Sequence, residues 1–315
     1  MGPLGLLKKL NLRKLSVAAV LLTAFFAIPL SQALAWESNG APAPGQIDLP
    51  KGATDIAQKL YSFHQELLII ITLITILVFI LLAYVVIRFR KAANPVPSRT
   101  THNFLIEVIW TVVPVLILAI IAFPPFKLLY FMDRAEKPEM TLKVTGHQWY
   151  WNYELPDQKV EEWSSNLIPD DKITKQQIRL LSVDYPLVVP VDTTIQILFN
   201  GADVIHSWLV VDLGVQKSAF PGRTNESWMK IDKEGTYYGQ CTQICGDRHG
   251  YMPIEVHAIS KEKYQQWVDL VLHSTAKDKM RDANEKILGL SYAWMDQPSH
   301  SKTAQIDTTT DNASR

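Results

Sequence analysis

The sequence is poor in cysteine: its 315 residues include only two, Cys241 and Cys245. A secreted domain stabilised by disulfides normally has more, so this pair indicates a single bridge, a metal site or a redox centre. The chain also lacks net charge, with 31 basic and 31 acidic residues, and this balance gives no indication of nucleic-acid binding. The length suffices for a membrane anchor and one domain of roughly 100–200 residues.

Residues 1–35 have the pattern of an export signal. A basic stretch precedes the apolar run Leu15–Leu30, and Ala33-Leu34-Ala35 offers a cleavage site before Trp36. The alternative is a third membrane span that is never removed, but the apolar core is short for a span. We therefore expect the signal to be cleaved.

Two uncharged apolar runs follow, Leu67–Ile87 and Val108–Phe126. Each is long enough to cross a bilayer, which requires about 20 residues. Residues 36–135 are therefore predicted to form a short periplasmic segment and a transmembrane hairpin. The loop between the runs is basic: Arg88, Arg90, Lys91 and Arg99. Because basic loops stay cytoplasmic, the rest of the chain is expected on the periplasmic side of a bacterial-type inner membrane.

The segment 136–275 is predicted to be a β-domain. Alternating or β-branched runs such as Thr194–Phe199 and Ile254–Ile259 are separated by turn residues. This pattern is typical of a β-sandwich or a small Greek-key barrel. Ser260 is predicted to cap a helix that ends the domain, and residues 276–315 are expected to form a polar tail. The predicted fold class is membrane-anchored all-β.

A cluster of metal-ligand residue types lies near the end of the β-domain. Cys241, Cys245, His249 and Met252 occur in one short run, and His206 lies upstream beside a predicted strand. All are soft or borderline ligands that suit copper, but a mononuclear blue-copper site uses a single cysteine. The two cysteines therefore indicate a different kind of site.

The same residues allow other interpretations. Cys241 and Cys245 could form a disulfide, or bind zinc together with two histidines. Met252 favours copper, because methionine is not a zinc ligand, although a lone methionine more often packs in a core. A lone His206 is likewise more often a buried, hydrogen-bonded histidine. A thioredoxin-like redox pair does not fit, because that motif is Cys-x-x-Cys.

The run Tyr238–Ile254 resembles the binuclear copper loop of cytochrome c oxidase subunit II. Further segments resemble that family in its own order: Glu107–Thr111, Gly146–Glu154, Asp203–Trp208 and Pro221–Asn225. The resemblance implies a two-helix transmembrane hairpin followed by a cupredoxin-like Greek-key β-sandwich. It also implies a set of ligands for two copper ions: bridging Cys241 and Cys245, one imidazole each from His206 and His249, and weaker contacts from Met252 and the backbone carbonyl of Gln243.

Gln243 departs from the family pattern. Related proteins usually have a glutamate here, and its side chain reaches a magnesium or manganese ion at the junction with subunit I. The copper contact uses the backbone, so glutamine leaves it intact. A neutral amide is a weaker ligand for a hard cation than a carboxylate, and we expect the magnesium or manganese to be weakly held or absent.

The resemblance implies roles for four further residues. Trp149 matches the residue that receives electrons from cytochrome c, and Glu154 and Asp203 match positions near the docking surface for that partner. Acidic residues between 154 and 172 strengthen the docking prediction, because such a patch attracts a basic protein. Glu107 matches a glutamate at the entrance of a proton path in subunit I.

The implied function is electron transfer from cytochrome c to the haem and haem–copper centre of subunit I. Oxygen is reduced to water there, coupled to proton translocation; subunit III is a further expected partner. A haem c domain would need a second cysteine motif, so the donor is expected to be a separate protein. A quinol-oxidase subunit lacks the copper loop, a nitrous oxide reductase lacks this anchor, and a periplasmic copper chaperone needs no aromatic Trp149 motif.

Overall fold

The structure is a computed structural model that describes residues 40–296, except 43, 44, 51, 134, 136 and 176. The predicted signal segment 1–35 and the chain beyond residue 296 lie outside the described residues. The described part consists of two long helices followed by a β-domain with a helical C-terminal segment.

Two apolar helices form the hairpin, α1 (Asp55–Arg88) and α2 (Phe104–Asp133). Both are longer than the predicted spans 67–87 and 108–126. At 1.5 Å per residue, the 34 residues of α1 reach about 50 Å, more than the roughly 30 Å hydrocarbon core of a bilayer. Their most apolar windows bury none of their residues inside the protein, as lipid-facing helices would.

The β-domain is a sandwich of two five-stranded sheets, with strand orders β3-β2-β1-β5-β8 and β4-β10-β9-β6-β7. The strands are β1 (Met140–His147), β2 (Tyr150–Leu155), β3 (Val160–Ser165), β4 (Leu187–Pro190), β5 (Ile195–Gly201), β6 (His206–Val210), β7 (Val215–Ala219), β8 (Asn225–Met229), β9 (Gly235–Cys241) and β10 (Pro253–Ile259). The predicted combination of hairpin and β-sandwich is confirmed.

Each sheet contains one parallel pair, β1 with β5 and β4 with β10, among antiparallel neighbours. Strand β1 alternates buried and more exposed side chains, which is the period of a sheet with one covered face. Trp151 and Trp208 are completely buried between the sheets. The core is thus heavily aromatic, and it lies directly beneath the strand ends that supply the candidate site.

The C-terminal segment packs on the domain for longer than the sequence suggests. After α3 (Lys261–His273) come α4 (Lys279–Ala283) and a π-helical turn (Asn284–Leu288), within the stretch assigned above to a polar tail. The indole nitrogen of Trp267 donates to Oδ1 of buried Asn284 at 2.7 Å, and Asn284 Nδ2 donates to the hydroxyl of Tyr292 at 2.8 Å. Asn284 therefore helps to fix this segment, together with buried Ala283 and the stacking of Tyr185 on Tyr292. Apolar periodicity does not reveal the polar contacts.

Candidate metal centre

Three buried side chains converge at one end of the sandwich. His206 opens β6, Cys241 closes β9, and Cys245 lies in the loop that follows. Register places Trp208 opposite Cys241, so the two strand ends lie side by side. One potential ligand atom from each of His206, Cys241 and Cys245 lies within 4.8 Å of the others, close enough to hold a metal ion.

The loop after Cys245 brings two more predicted ligands to the same place. Nδ1 of His249 lies 3.5 Å from Sγ of Cys245, and Sδ of Met252 lies 3.6 Å from the same sulfur. The carbonyl oxygen of Gln243 is 3.4 Å from Sγ of Cys241. Met252 is buried and His249 is half-buried in a 3₁₀ turn, His249–Tyr251.

The two thiols are not bridged, and their environments differ. Burial raises the pKa of Cys241, but the nearby imidazole of His206 and the backbone of Ser207 outweigh that effect, so its pKa lies below the ordinary value. Burial and the nearby Cys241 raise the pKa of Cys245 to about 12. The proximity of two like charges opposes ionisation of both sulfurs, and a cation between them would remove that conflict.

His206 is held with one ring nitrogen turned to the site. Its Nε2 lies 2.8 Å from Oδ1 of Asp203, whereas its buried Nδ1 has no hydrogen-bond partner among the described residues. A metal-binding histidine commonly gives its second ring N–H to a carboxylate, which fixes the tautomer and the ring orientation. Burial lowers the pKa of His206, but the nearby sulfur of Cys241 and the carboxylate of Asp203 together raise it by more.

Gly146 makes room for this imidazole. A Cβ at Gly146 would lie 2.8 Å from two ring atoms of His206, so a side chain here would displace the ring. The indole of Trp151 packs edge-on against His206, and its Nε1 donates to the carbonyl of Met252 at 3.2 Å. A glycine inside a strand often marks such a close approach, so Gly146 within β1 is itself a sequence signal of this contact.

Gln148 ties the loop to the strands, a role the sequence analysis missed. Its side-chain Nε2 donates to the carbonyl of Cys245 at 2.7 Å, and its backbone N–H donates to Oδ2 of Asp203 at 2.7 Å. Asp203 therefore contacts both the imidazole of His206 and the turn between β1 and β2. Neither contact follows from local sequence spacing.

Trp149 lies beside the ligand loop. A Cβ at Gly246 would lie 3.0 Å from Cζ2 of Trp149, and φ of Gly246 is +127°. The glycine therefore lets the half-buried indole rest against the backbone next to Cys245. The Nε1 atom of Trp149 is buried and makes no hydrogen bond to any described residue.

The other predicted positions are farther from the site. Glu154 forms a 3.0 Å ion pair with Lys143 and lies in β2, whereas Trp149 lies in the turn that precedes that strand. Glu107 is in the first turn of α2, where its carboxylate accepts from the backbone N–H of Asn103 at 3.2 Å. This contact caps the helix, and the predicted proton-path role of Glu107 stays a prediction.

Family comparisons cover most of the described chain. Residues 140–259 match the family described as cytochrome c oxidase subunit II, periplasmic domain. Residues 42–128 match the transmembrane domain of the same subunit. The two matches coincide with the β-domain and with the helical hairpin.

Individual relatives carry the same description. A probable cytochrome c oxidase subunit 2 of Rickettsia bellii is 44% identical over 227 residues, which are 72% of this chain and 84% of that protein. The cytochrome c oxidase subunit 2 of Mycosarcoma maydis is 41% identical over 237 residues, 73% of this chain and 93% of that protein. A solved structure, the periplasmic domain of subunit II of cytochrome oxidase from Bradyrhizobium japonicum, is 40% identical; it covers 45% of this chain and 100% of that chain, with a TM-score of 0.42.

Proposed function

The chain belongs to the cytochrome c oxidase subunit II family, and from this premise we propose that it binds two copper ions and transfers electrons from cytochrome c to subunit I. It is then the electron-accepting, membrane-anchored subunit of an oxidoreductase complex. The observation that carries the copper proposal is the convergence of both cysteine sulfurs with the unpartnered Nδ1 of His206.

The donor set suits copper better than zinc. Two sulfurs and two imidazoles alone would serve either ion. The thioether of Met252, 3.6 Å from Cys245 Sγ, adds a soft ligand of the kind that copper accepts and zinc does not. Two copper ions held by Cys241 and Cys245 would supply a centre that takes up and releases one electron.

The protein holds the ligand side chains in fixed orientations. Asp203 fixes the ring of His206, and Gly146 lets the ring lie against β1. His206, Cys241, Cys245 and Met252 are all buried, which excludes bulk water from most of the site. Preorganised ligands limit the rearrangement that accompanies a change of charge, and this is the requirement for fast electron transfer.

Trp149 is the proposed point of electron uptake. It packs against the ligand loop at Gly246 and is only half-buried, so one edge is available to a docked donor. Asp203 lies close to it, since the amide of Gln148 donates to that carboxylate, and we propose it also contributes to docking. Glu154, already paired with Lys143, is the weaker docking residue.

The remaining expectations belong to the assembled complex. We propose that the β-domain lies on the periplasmic side of an inner membrane, above subunit I and with subunit III as a further partner. Glu107 is proposed to lie near the proton entrance of subunit I. Because Gln243 replaces the usual glutamate, magnesium or manganese at the junction should be substoichiometric; stoichiometric metal in the purified complex would contradict this.

Replacement of Trp149 tests the electron-uptake proposal. In the assembled oxidase, Trp149→Phe should sharply slow reduction of the copper centre by reduced cytochrome c, measured by stopped-flow absorbance, and leave the copper spectrum unchanged. The matched control is Trp163→Phe, since Trp163 is also half-buried but packs on Trp267 instead of the ligand loop. Equal uptake rates in the parent and Trp149→Phe would refute the assignment.

A further inference from the structure

The outer end of helix α1 is built into the β-domain. Thr54, which caps the helix, and the adjacent Ala53 are buried, as are Ile56 and Ala57 in the first turn. A buried helix N-terminus needs partners for its polar groups. The backbone N–H of Ala53 finds one in the carbonyl of Asp212, at 2.7 Å.

The hydroxyl of Thr54 makes two hydrogen bonds. It accepts from the N–H of Ala57 at 3.0 Å and donates to the carbonyl of Leu213 at 2.8 Å. On the other side, the N–H of Asp232 donates to the carbonyl of Ala53 at 2.9 Å. The helix end is therefore bonded to two separate segments of the domain.

Gly214 allows the two backbones to touch. Its φ is +65°, and a Cβ there would lie 2.7 Å from the backbone nitrogen of Ala57. Real Cβ atoms essentially never approach another atom closer than 3.0 Å, so any side chain would force the helix and the domain at least 0.3 Å apart, and 0.7 Å apart to reach ordinary contact at 3.4 Å. We name the contact between Gly52–Ala57 and Val211–Gly214 the helix clamp.

The end of α2 supplies a second attachment. The indole Nε1 of Trp228 donates to the carbonyl of Phe131 at 2.9 Å, and the two rings meet edge-to-face at 5.2 Å. The ammonium group of Lys59, on α1, lies 4.2 Å from the centre of the Phe131 ring. Two attachments restrict rotation of the domain about either helix.

The helix clamp is joined to the candidate metal centre by a single strand. Strand β6 begins at His206 and ends at Val210, and the next residues are the turn Val211–Leu213 that accepts the bonds from Ala53 and Thr54. From His206 to Asp212 the chain spans at most about 20 Å. Because β6 pairs with a strand on each side, this connection is stiff.

We propose that the helix clamp sets the position of the metal centre relative to the membrane hairpin, and hence its distance from the electron acceptor in the membrane. The proposal rests on the electron-transfer function proposed above. Thr54 and Gly214 are then positioning residues: they contact no ligand of the metal, and act through β6. Electron transfer falls steeply with distance, so a small displacement here should slow electron release while the centre itself stays intact.

Amide hydrogen exchange on the full chain in lipid nanodiscs tests the clamp without any metal. Thr54→Val removes the hydroxyl bonds to Leu213 and Ala57 and should accelerate exchange in residues 52–57 and 211–214 by about tenfold or more. Thr54→Ser should restore protection. The matched control is Thr193→Val, because that buried hydroxyl donates to Val191 within the domain and has no bond to the helix.

Gly214→Ala tests the close approach, with Gly289→Ala as its control. Both glycines have positive φ, +65° and +68°, but a Cβ at Gly289 meets nothing within 4 Å. Both variants therefore carry the same backbone strain, and only the first collides with the helix. We expect faster exchange at the helix clamp in Gly214→Ala alone.

The effect of the helix clamp on electron transfer is tested in the assembled oxidase. The rate of electron uptake from cytochrome c and the rate of electron release to the membrane partner are measured separately. Thr54→Val and Gly214→Ala should slow electron release but keep the uptake rate and the copper spectrum of the parent. Thr54→Ser, Thr193→Val and Gly289→Ala should match the parent in all three measurements. Unchanged exchange in Thr54→Val and Gly214→Ala would overturn the proposal, as would faster exchange with unchanged release. A parent without a two-copper spectrum would instead contradict the proposed function, and the exchange result would still decide whether the clamp exists.

Discussion

The two halves of the candidate metal centre are built differently. His206 and Cys241 are buried at the ends of adjacent strands, so sheet hydrogen bonds fix their backbones. Cys245 belongs to a surface loop in which Ile244 is 83% exposed and Tyr251 45% exposed. We call His206 and Cys241 the strand half and the loop from Cys245 to Met252 the loop half. The sheets position the strand half, whereas the loop half depends on a few hydrogen bonds to the strands, such as that from Gln148 to Cys245.

This contrast indicates that the two halves have different roles in metal binding. A rigid strand half presets one imidazole and one sulfur, and in the proposed copper centre the loop half would fold over the ions and bring the remaining ligands. A centre built in this way can admit metal through the loop and still hold it in a fixed geometry afterwards. Substitutions that act on one half at a time can test the comparison.

The largest effect on copper binding is expected when the sulfur of Cys241 or Cys245, proposed to bridge the two ions, is lost. Cys241→Ser and Cys245→Ser should each reduce bound copper from two ions per chain to one or none, because a hydroxyl is a poor replacement for a soft thiolate. Copper and protein quantified on the same dialysed sample give the stoichiometry. Two ions retained by either variant would contradict the shared-sulfur arrangement.

The second-largest loss of copper binding is expected from a packing change in the strand half. Gly146→Ala places a methyl group 2.8 Å from the ring of His206, and we expect copper affinity to fall by about 10–100-fold, the range typical of disturbed ligand orientation. Competition titration with a chelator measures the change. The loop-half control is Gly250→Ala beside His249, where a Cβ meets nothing within 4 Å; equal losses in both variants would remove the distinction between the halves.

Asp203→Asn should weaken copper binding by about tenfold through a poorer hold on His206. The same titration measures it, with Asp247→Asn as the control, since Asp247 is an exposed acid in the loop half. If Asp203 contributes only to docking, its substitution would change the salt dependence of electron uptake and leave copper affinity at the parent value.

The smallest effect, a change in stability, is expected from removing the hydrogen bond that joins the two halves. Gln148→Leu removes the hydrogen bond to the carbonyl of Cys245 and should cost about 1 kcal/mol, a fall of roughly 2–4 °C in the melting temperature of the domain. Thermal unfolding of the full chain, with and without copper, measures it. Bound copper should reduce the difference in melting temperature between the parent and Gln148→Leu, because metal ligation then holds the loop. A larger difference with copper than without it would contradict this expectation.

Local patterns predicted much of this structure. The two spans follow from composition alone, and the ligand types Cys241, Cys245, His249 and Met252 lie so close in sequence that one loop brings them together. His206 came from its strand context and from the family resemblance. The structure brings these side chains together, because they lie near each other in the chain or at the ends of neighbouring strands; that they bind copper stays a prediction.

Contacts between distant segments could not be predicted in the same way. Asp203 was predicted as a docking residue, and its bond to His206 could have been suspected only from the three-residue spacing. The bond from Gln148 to Cys245 joins positions 97 residues apart, and that from Thr54 to Leu213 joins positions 159 apart. Such pairs depend on how the two sheets and the hairpin pack, which no local pattern encodes.

The central claim is that one electron is shared by two copper ions held between the strand half and the loop half. Electron paramagnetic resonance of the copper-loaded chain tests it directly. Equal sharing over two copper nuclei predicts a seven-line hyperfine pattern in the mixed-valence form. A four-line pattern, from an electron confined to a single copper, would contradict the account.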